Sequence, residues 1–455
     1  MKVIIVGAGE VGYNIADVLS REGHGVTMID QDELKLQEIA EKLDVLTVHG
    51  SGSSPQVLRK AGLDGADMII AVTNSDDTNM VACLLASSQS NVGYKVARIR
   101  NAELNGTSVI FDKNHLNIDL CINPEREAVK NALNLIEFPG ATEIIDFVDG
   151  RIKLIGFSVG PDSQVIGKTL RELRLLYPRT KVLVTSIIRK EKILAPTGDT
   201  SMQGGDYVFA VSASDELREM LRIYGKSGEA LKKVLIMGGG NTGFMLAEAL
   251  EARGLSTKII EKRSGRCEDL AAMLEKVTVL HGDGTNQELL QEENIQNTDC
   301  FIAVTDDEEA NILGALLAKR LGAKKSIALI NRVEYMPLVS TVGIDGVINP
   351  RHAAVSKILN YIRKGKIVSA TPLHDERVEA YEVVALETAD ITDRPIKDVK
   401  FPPGTIVGAI IRREEIMIPD GDSVIRPEDH VIIFTLRSTI PKLEKMLTVK
   451  LDYFE

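Results

Sequence analysis

The strongest constraint on this 455-residue chain is that it is written twice. Residues 2–12 read KVIIVGAGEVG and residues 233–243 read KVLIMGGGNTG, an offset of 231. The register holds downstream. Asp30 meets Glu261 at the same offset, while His49-Gly50 meets His281-Gly282 and Ala71-Val72-Thr73 meets Ala303-Val304-Thr305 at 232. Asn79 falls on Asn311, again at 232. Further on, Ile122-Asn123-Pro124 corresponds to Ile348-Asn349-Pro350, and Pro196-x-Gly198-Asp199 to Pro419-x-Gly421-Asp422. Such a collinear series is a tandem duplication of a unit of about 225–230 residues, so whatever forms must form twice.

Each unit has two textures. The first alternates short apolar runs (residues 3–6, 26–29, 68–72 and 95–99) with helix-period stretches such as 31–42 and 78–86. That rhythm predicts an α/β fold with a doubly wound, mostly parallel sheet. Asp76-Asp77-Thr78 supplies capping and first-turn acids to the second of these helices. Proline opens the segments 124–138 and 350–367, where it suits a first helical turn. Val129, Leu133 and Ile136 share one helical face, as do Val355, Ile358, Leu359 and Ile362. Each stripe either docks the helix on its own domain or pairs it with another chain. The second texture, near 143–228 and 368–455, has shorter strands. Residues 411–418, the turn 419–422 and residues 431–435 read as strand, turn, strand. The expected layout is two Rossmann-like domains (1–124 and 229–350), two crossover helices (125–142 and 351–367) and two small α+β domains (143–228 and 368–455).

Both G-x-G-x-x-G sets follow a strand and open a helix. The expected phosphate cradles are Gly7, Ala8, Gly9, Glu10, Val11 and Gly12, and Gly238, Gly239, Gly240, Asn241, Thr242 and Gly243. The first glycine permits the tight turn, the second lets a pyrophosphate approach, and the third lets helix and strand pack closely. Phosphate then meets free N–H groups at the positive helix end. Asp30 and Glu261 each follow the last glycine by 18 residues and match the carboxylate that binds an adenosine ribose. Gln31 and Lys262 come next. Both acids repel a 2′-phosphate, which argues against NADP(H). They do not separate NAD from ATP, ADP or AMP.

Other expected binding residues stand at strand ends, where open α/β sheets bind ligands. They are Gly50 and Ser51 with Gly282 and Asp283, then Thr73, Asn74, Asp76 and Asn79 with Thr305, Asp307 and Asn311. A capped helix end explains much of that polarity without a ligand. Arg98 and Arg100 end the next strand and suit phosphate recognition. The second copy carries Ala328 and Ile330 there, with Asn331-Arg332 just beyond. The two sites are therefore unequal, and the first is expected to favour the more anionic ligand.

No G-x-S-x-G elbow, Walker A loop or H-E-x-x-H motif occurs. Only His49 and His281 recur in both copies, each before a glycine, where a packed or hydrogen-bonded role is expected over catalysis. The chain is therefore expected to bind nucleotide without enzymatic chemistry. The alternatives are an NAD-dependent oxidoreductase with a duplicated cofactor domain and a soluble redox sensor. A net charge of −11 argues against nucleic-acid binding. Four dispersed cysteines, no apolar run long enough to span a bilayer and no secretory leader predict a cytosolic compartment without disulfides or a metal site.

KVIIVGAGEVGYNIA, HGSGSS, GADMIIAVTNSDDTNMVACLLA and VARIRN resemble the first domain of the TrkA family of potassium-uptake regulators. GGGNTG, HGDGT and CFIAVTDDEEAN resemble the family's second domain, so the resemblance covers essentially the whole chain. It implies two RCK units (regulators of potassium conductance), each a nucleotide-binding domain plus a small C-terminal domain. It further implies a homotetrameric cytoplasmic ring, attached to the inner face of the membrane through a TrkH- or TrkG-type potassium-translocating subunit, with nucleotide occupancy setting conduction. ATP, ADP and NAD(H) are the ligands the resemblance implies. Gly7, Gly9, Gly12, Asp30, Thr73, Asn74, Arg98, Gly238, Gly240, Gly243, Glu261 and Thr305 fit its binding positions.

Overall fold

The computed structural model describes residues 1–447 other than 22, 102, 103, 105–107, 113, 114, 149, 162, 179, 191, 227–230, 333, 334, 336–341, 351–356, 359–366 and 374–377. Strands β1 (Lys2–Val6), β2 (Gly25–Asp30), β3 (Leu46–His49), β4 (Met68–Ala71), β5 (Tyr94–Arg98) and β6 (Leu120–Ile122) form an all-parallel sheet in the order 3-2-1-4-5-6. Val3 and Ile5 enter one buried cluster and Ile4 and Val6 another. Both faces are covered, which is why the strand reads as an unbroken apolar run.

Strands β7 (Glu143–Phe147), β8 (Ile152–Ser158), β9 (Val182–Arg189), β10 (Lys192–Leu194) and β11 (Tyr207–Ala213) form an antiparallel sheet in the order 10-9-11-8-7. The second copy repeats both sheets. Strands β12 (Lys233–Met237), β13 (Ser256–Glu261), β14 (Thr278–His281), β15 (Cys300–Ala303), β16 (Lys325–Leu329) and β17 (Gly346–Ile348) order as 14-13-12-15-16-17. Strands β18 (Ile367–Leu373), β19 (Val378–Val384), β20 (Ile406–Arg412), β21 (Glu415–Met417) and β22 (His430–Leu436) order as 18-19-22-20-21. Read from its other edge, that is the path of the first small sheet. The fold is two Rossmann-like parallel sheets alternating with two small antiparallel ones.

The two small sheets share a core. Phe147, Leu154, Phe209 and Val211 of one and Ala380, Ala409, Ile432 and Phe434 of the other lie in a single buried cluster. The alternate residues Ile155, Phe157, Val208 and Ala210 turn to a different cluster, as the two-residue strand period requires.

The expected strand over 411–418 is two strands. Arg413 takes a left-handed φ of 56° between β20 and β21, and Lys190 does the same (φ 49°) between β9 and β10. Neither tight turn carries a glycine, so neither was marked in the sequence. Ser75, not the following acids, caps the helix Asp76–Gln89 by accepting from Thr78 N at 3.1 Å.

The chain divides into two compact units, Met1–Glu127 with Pro350–Ile362, and Ala128–Asn349 with Arg363–Glu455. This division cuts across the duplication. In the helix Pro124–Glu137, Ala128, Val129, Ala132, Leu135 and Ile136 join the cluster of Val234, Ile236, Leu246 and Leu250 from the second copy. Ile358 joins the cluster of Val3, Ile5, Val96 and Ile122 from the first. The described parts of both linkers thus share buried clusters with the other copy, and the first linker's cluster also takes in Ile155, Phe157, Leu217 and Tyr224 of its own repeat. Val355, Leu359 and Ile362 of the second stripe lie outside the described residues.

Candidate functional site

At both strand-to-helix turns the glycines are demanded by different neighbours. Gly7 and Gly238 have φ of +112° and +109°, a region open to glycine, and a Cβ on Gly7 would lie 2.9 Å from Thr73 N. A Cβ on Gly12 or Gly243 would lie 1.9 Å from the carbonyl oxygen of Gly7 or Gly238. Gly9 and Gly240 differ: a Cβ on either would meet nothing within 4 Å. The protein itself makes no demand for glycine there, and the space above the middle glycine is open to a ligand. Tyr13 N donates to Gly9 O and Phe244 N to Gly240 O, so the first turns of Glu10–Arg21 and Asn241–Ala252 start directly at that space. Glu10, Val11, Asn241 and Thr242 lie in those turns.

The two acids close each cradle from the second strand. Asp30 Oδ2 accepts Ala8 N at 2.6 Å and its Oδ1 accepts Asp32 N at 2.9 Å. Glu261 Oε2 accepts Gly239 N at 2.8 Å, while Oε1 accepts both the backbone N–H and Nε of Arg263, at 2.9 and 3.0 Å. Burial raises the Glu261 carboxyl, but the bonds from Arg263 and Gly239 outweigh it and hold the group below its ordinary value.

The adjoining strand ends complete each rim. Gly50 and Gly282 donate to the carbonyls of Asp30 and Glu261, and Ser51 bonds Ser53. Asp283 accepts from Thr285 N and Oγ1 and pairs with Lys262 at 3.0 Å; bonds from Thr285 and then Lys262 bring its carboxyl to about 2. His49 and His281 bond the backbone carbonyls of Gln31 and Lys262. That is the hydrogen-bonded role expected of them.

Asn79 and Asn311 occupy supporting positions. Both are fully buried. Asn79 Oδ1 accepts Thr73 N and Oγ1 at 2.9 and 2.7 Å, and its Nδ2 donates to Thr73 O and Arg98 O. Asn311 repeats this with Thr305 and Leu329 O. These bonds align Arg98 with Leu329, one residue from the pairing with Ala328 expected from sequence. Asp307 caps the helix Glu308–Arg320 through Ala310 N, and Asp76 holds Arg100 N and Asn101 N.

The first-site arginines are engaged within the chain. Arg98 pairs with Glu125 of the linker helix at 2.7 Å, both mostly buried. Arg98 Nε and Glu125 Oε2 are buried without a hydrogen-bond partner among the described residues. Arg100 donates to Asn74 O and lies 3.7 Å from Asp76. Open middle glycines, helix starts and spare guanidinium N–H suit an adenine nucleotide. Sequence reading missed Glu125, Arg263 and Arg266. The signal for the last two was legible where Lys262-Arg263-x-x-Arg266 replaces Gln31-Asp32-x-x-Lys35.

All four cysteines are free, and burial raises the Cys300 thiol to about 12. Among the described residues no group of three or more His, Cys, Asp or Glu could hold a metal, and no helix is long and apolar enough to cross a membrane.

The TrkA-N domain model matches residues 3–124 and 234–350, and the TrkA-C domain model matches 154–225 and 380–448. This chain belongs to the TrkA family. It is 37% identical over 458 aligned positions to the Trk system potassium uptake protein TrkA of Halomonas elongata, covering all of both chains. Two solved structures share the fold at low identity. A GsuK channel bound to NAD matches with a TM-score of 0.61 at 16% identity, over 98% of this chain and 78% of that one. GsuK bound to ADP matches at 0.51 and 14% identity, over 80% and 69%. The TrkA-N matches coincide with the two parallel sheets and their cradles, and the TrkA-C matches with the two small sheets.

Proposed function

We propose that this chain is the nucleotide-sensing regulatory subunit of a potassium-uptake system. It holds ATP or ADP and NAD(H) in its two cradles and assembles as a cytoplasmic homotetrameric ring on a TrkH- or TrkG-type membrane subunit, whose conduction it sets. The open middle glycine in both copies, each beside a carboxylate bonded to the loop, supports this most directly. The potassium-uptake role of its full-length TrkA relative and the NAD and ADP of the GsuK structures point the same way.

In this mechanism the chain is not an enzyme. Nucleotide supplies phosphate charge, and the protein converts occupancy into a choice between conformations, to the extent that it binds one more tightly. Glycine-loop amides and the helix start bind phosphate, while Asp30 and Glu261 orient the ribose. Arg98 and Arg100, within a subunit or from a neighbour in the ring, discriminate ATP from ADP at the outer phosphate. Arg98 is tied to Glu125 in the first turn of the linker helix, so a competing anion loosens the entry to that helix. The ring multiplies a modest difference per site.

Calorimetric titration of ATP, ADP and NADH into the chain tests the binding. Each should bind, and Asp30→Ala and Glu261→Ala should each remove part of the signal; silence with all three nucleotides would sink the proposal. Reconstitution with a TrkH-type subunit then reads potassium flux against nucleotide. Loss of ATP/ADP discrimination in Arg98→Ala or Arg100→Ala is expected, and an unchanged ratio in both removes these residues from that role.

A further inference from the structure

We propose that the edge of the second parallel sheet remote from its cradle docks on a surface of anionic phospholipid headgroups. Such contact goes beyond the proposed function, in which the membrane is reached through the partner subunit alone. In a parallel sheet every strand begins at one edge, and here the glycine loop lies at the other. The two copies differ in what they carry at the starting edge. The turns that lead into the first five strands are 1–2, 21–24, 42–45, 65–67 and 89–93 in one copy, and 232–233, 252–255, 273–277, 297–299 and 320–324 in the other. In the first set Lys2, Arg21 and Lys42 are matched by Glu22, Asp44 and Asp67. In the second, Lys232, Lys233, Arg253, Lys276, Arg320 and Lys324 stand against Glu275 and Asp299.

The strand order 14-13-12-15-16 turns these six cations into a row, from Lys276 through Arg253, Lys232 and Lys233 to Lys324 and Arg320, on strands about 4.8 Å apart. All six are exposed. Lys232, Lys233 and Lys276 spend their backbone N–H groups on Asp299 and Glu251. Their ammonium groups, and the guanidinium groups of Arg253 and Arg320, have no partner among the described residues. Asp299 is mostly buried and pairs with Lys324 at 2.9 Å. Of the other acids nearby in sequence, Glu293 pairs with Lys258 and Asp345 with Lys319, leaving Glu275 and Glu292 exposed. Lys325, which opens β16, turns inward to the end of the linker helix and is not part of the row.

The chemistry of the row selects its partner. Four of the six are lysines, flexible point charges without the fixed fork of arginine, and lysine is depleted from protein–protein interfaces. No aromatic side chain stands in these turns to stack on a nucleic-acid base. Met273 ends the helix Ser264–Met273 beside Lys276 and is 56% exposed. A lysine-rich row with an apolar side chain among its members fits the diffuse charge and shallow apolar depth of an anionic bilayer. Screening over about 10 Å lets the row act locally against the net charge of −11 on the whole chain.

The test is co-sedimentation of the full chain with vesicles of phosphatidylcholine, alone or with about 30% phosphatidylglycerol. The chain should bind the anionic vesicles only, and roughly tenfold more weakly at about 300 mM salt than at about 50 mM. Lys232→Glu/Lys233→Glu/Lys276→Glu should lower that binding roughly tenfold or more with an unchanged melting temperature. The single reversals Lys232→Glu and Lys276→Glu should each remove part of it, and Lys2→Glu/Lys42→Glu in the first copy should leave it intact. No binding to anionic vesicles at the lower salt overturns the inference, as does equal binding by wild type and the triple variant. A mixed-sequence DNA duplex bound as tightly as the vesicles overturns it in favour of polyanions at large. Silence with vesicles, together with loss of a TrkH-type subunit in the triple variant, overturns it in favour of a protein partner.

Discussion

Some of the side chains that hold this molecule together carry no motif. Arg189 clasps Asp206 with Nε and one terminal nitrogen, each at 2.7 Å, and also donates to Ser201 O. Arg412 repeats this with Asp429 and Val424 O, at a constant offset of 223. Asp206 and Asp429 are 1% and 2% exposed. Removing one carboxylate leaves a partly buried guanidinium unpaired, so Asp206→Ala should lower stability by about 3 kcal/mol in urea denaturation. A loss under about 1 kcal/mol would mean solvent screens the pair. Glu143 offers a pH-dependent test. Burial lifts its carboxyl from 4.5 to about 7, beside the buried hydroxyl of Tyr207. A raised folded value means the native state holds the proton longer. The stabilisation is therefore full below 4.5 and lost as pH rises through about 7. Glu143→Gln should flatten the fall in melting temperature across that range; an unchanged slope would assign it to other groups. At this scale the loop glycines and the acids Asp30 and Glu261 that bond the loops were legible because close backbone approach and a fixed spacing restrict residue type. The Arg–Asp clasps went unread, although their spacing recurs, because they join residues on neighbouring strands and any exposed pair looks the same in sequence.

At the scale of elements, the strand runs and the doubly wound parallel sheet follow from apolar period and from the repeat, whereas turns at Arg413 and Lys190 do not, since nothing in those residue types announces a left-handed backbone. The end of the first linker helix is another case. Lys325 opens β16 and is 3% exposed, and its Nζ donates to Leu135 O and Pro139 O at 3.0 Å and to Ala141 O at 2.9 Å. A cation at a helix C-terminus meets both its unpaired carbonyls and its dipole. The sheet register places Tyr94 at the same position of the first copy, so the lysine itself is not repeated there. Lys325→Met should leave three carbonyls without that donor, cost about 2–4 kcal/mol, and speed amide exchange across residues 134–142. Normal exchange there in the variant would show that another donor holds the helix end.

For the whole molecule, duplication and covalent continuity do different things. A repeat suggests two halves that fold alone, and the apolar stripe on each linker names the face to be covered without naming what covers it. Periodicity is a local property, while the partner is a matter of topology. In the folded chain, Ala128, Val129, Ala132, Leu135 and Ile136 lie in one cluster with Val234, Ile236 and Leu246 of the second copy and with Ile155, Phe157 and Leu217 of their own. A first half ending near residue 229 keeps that stripe and loses the second copy's share of its cover. Full burial of five such side chains contributes roughly 5 kcal/mol, at about 25 cal/mol per Å² of apolar surface, and the part supplied by the second copy is lost. The isolated half should therefore self-associate or aggregate, and co-expression with the second half should recover a soluble complex. Light scattering on the separate and co-expressed halves decides the point. A stable monomeric first half would mean that the stripe finds cover within its own repeat, and that the exchange of linkers is a consequence of joining the copies and not a condition for folding them.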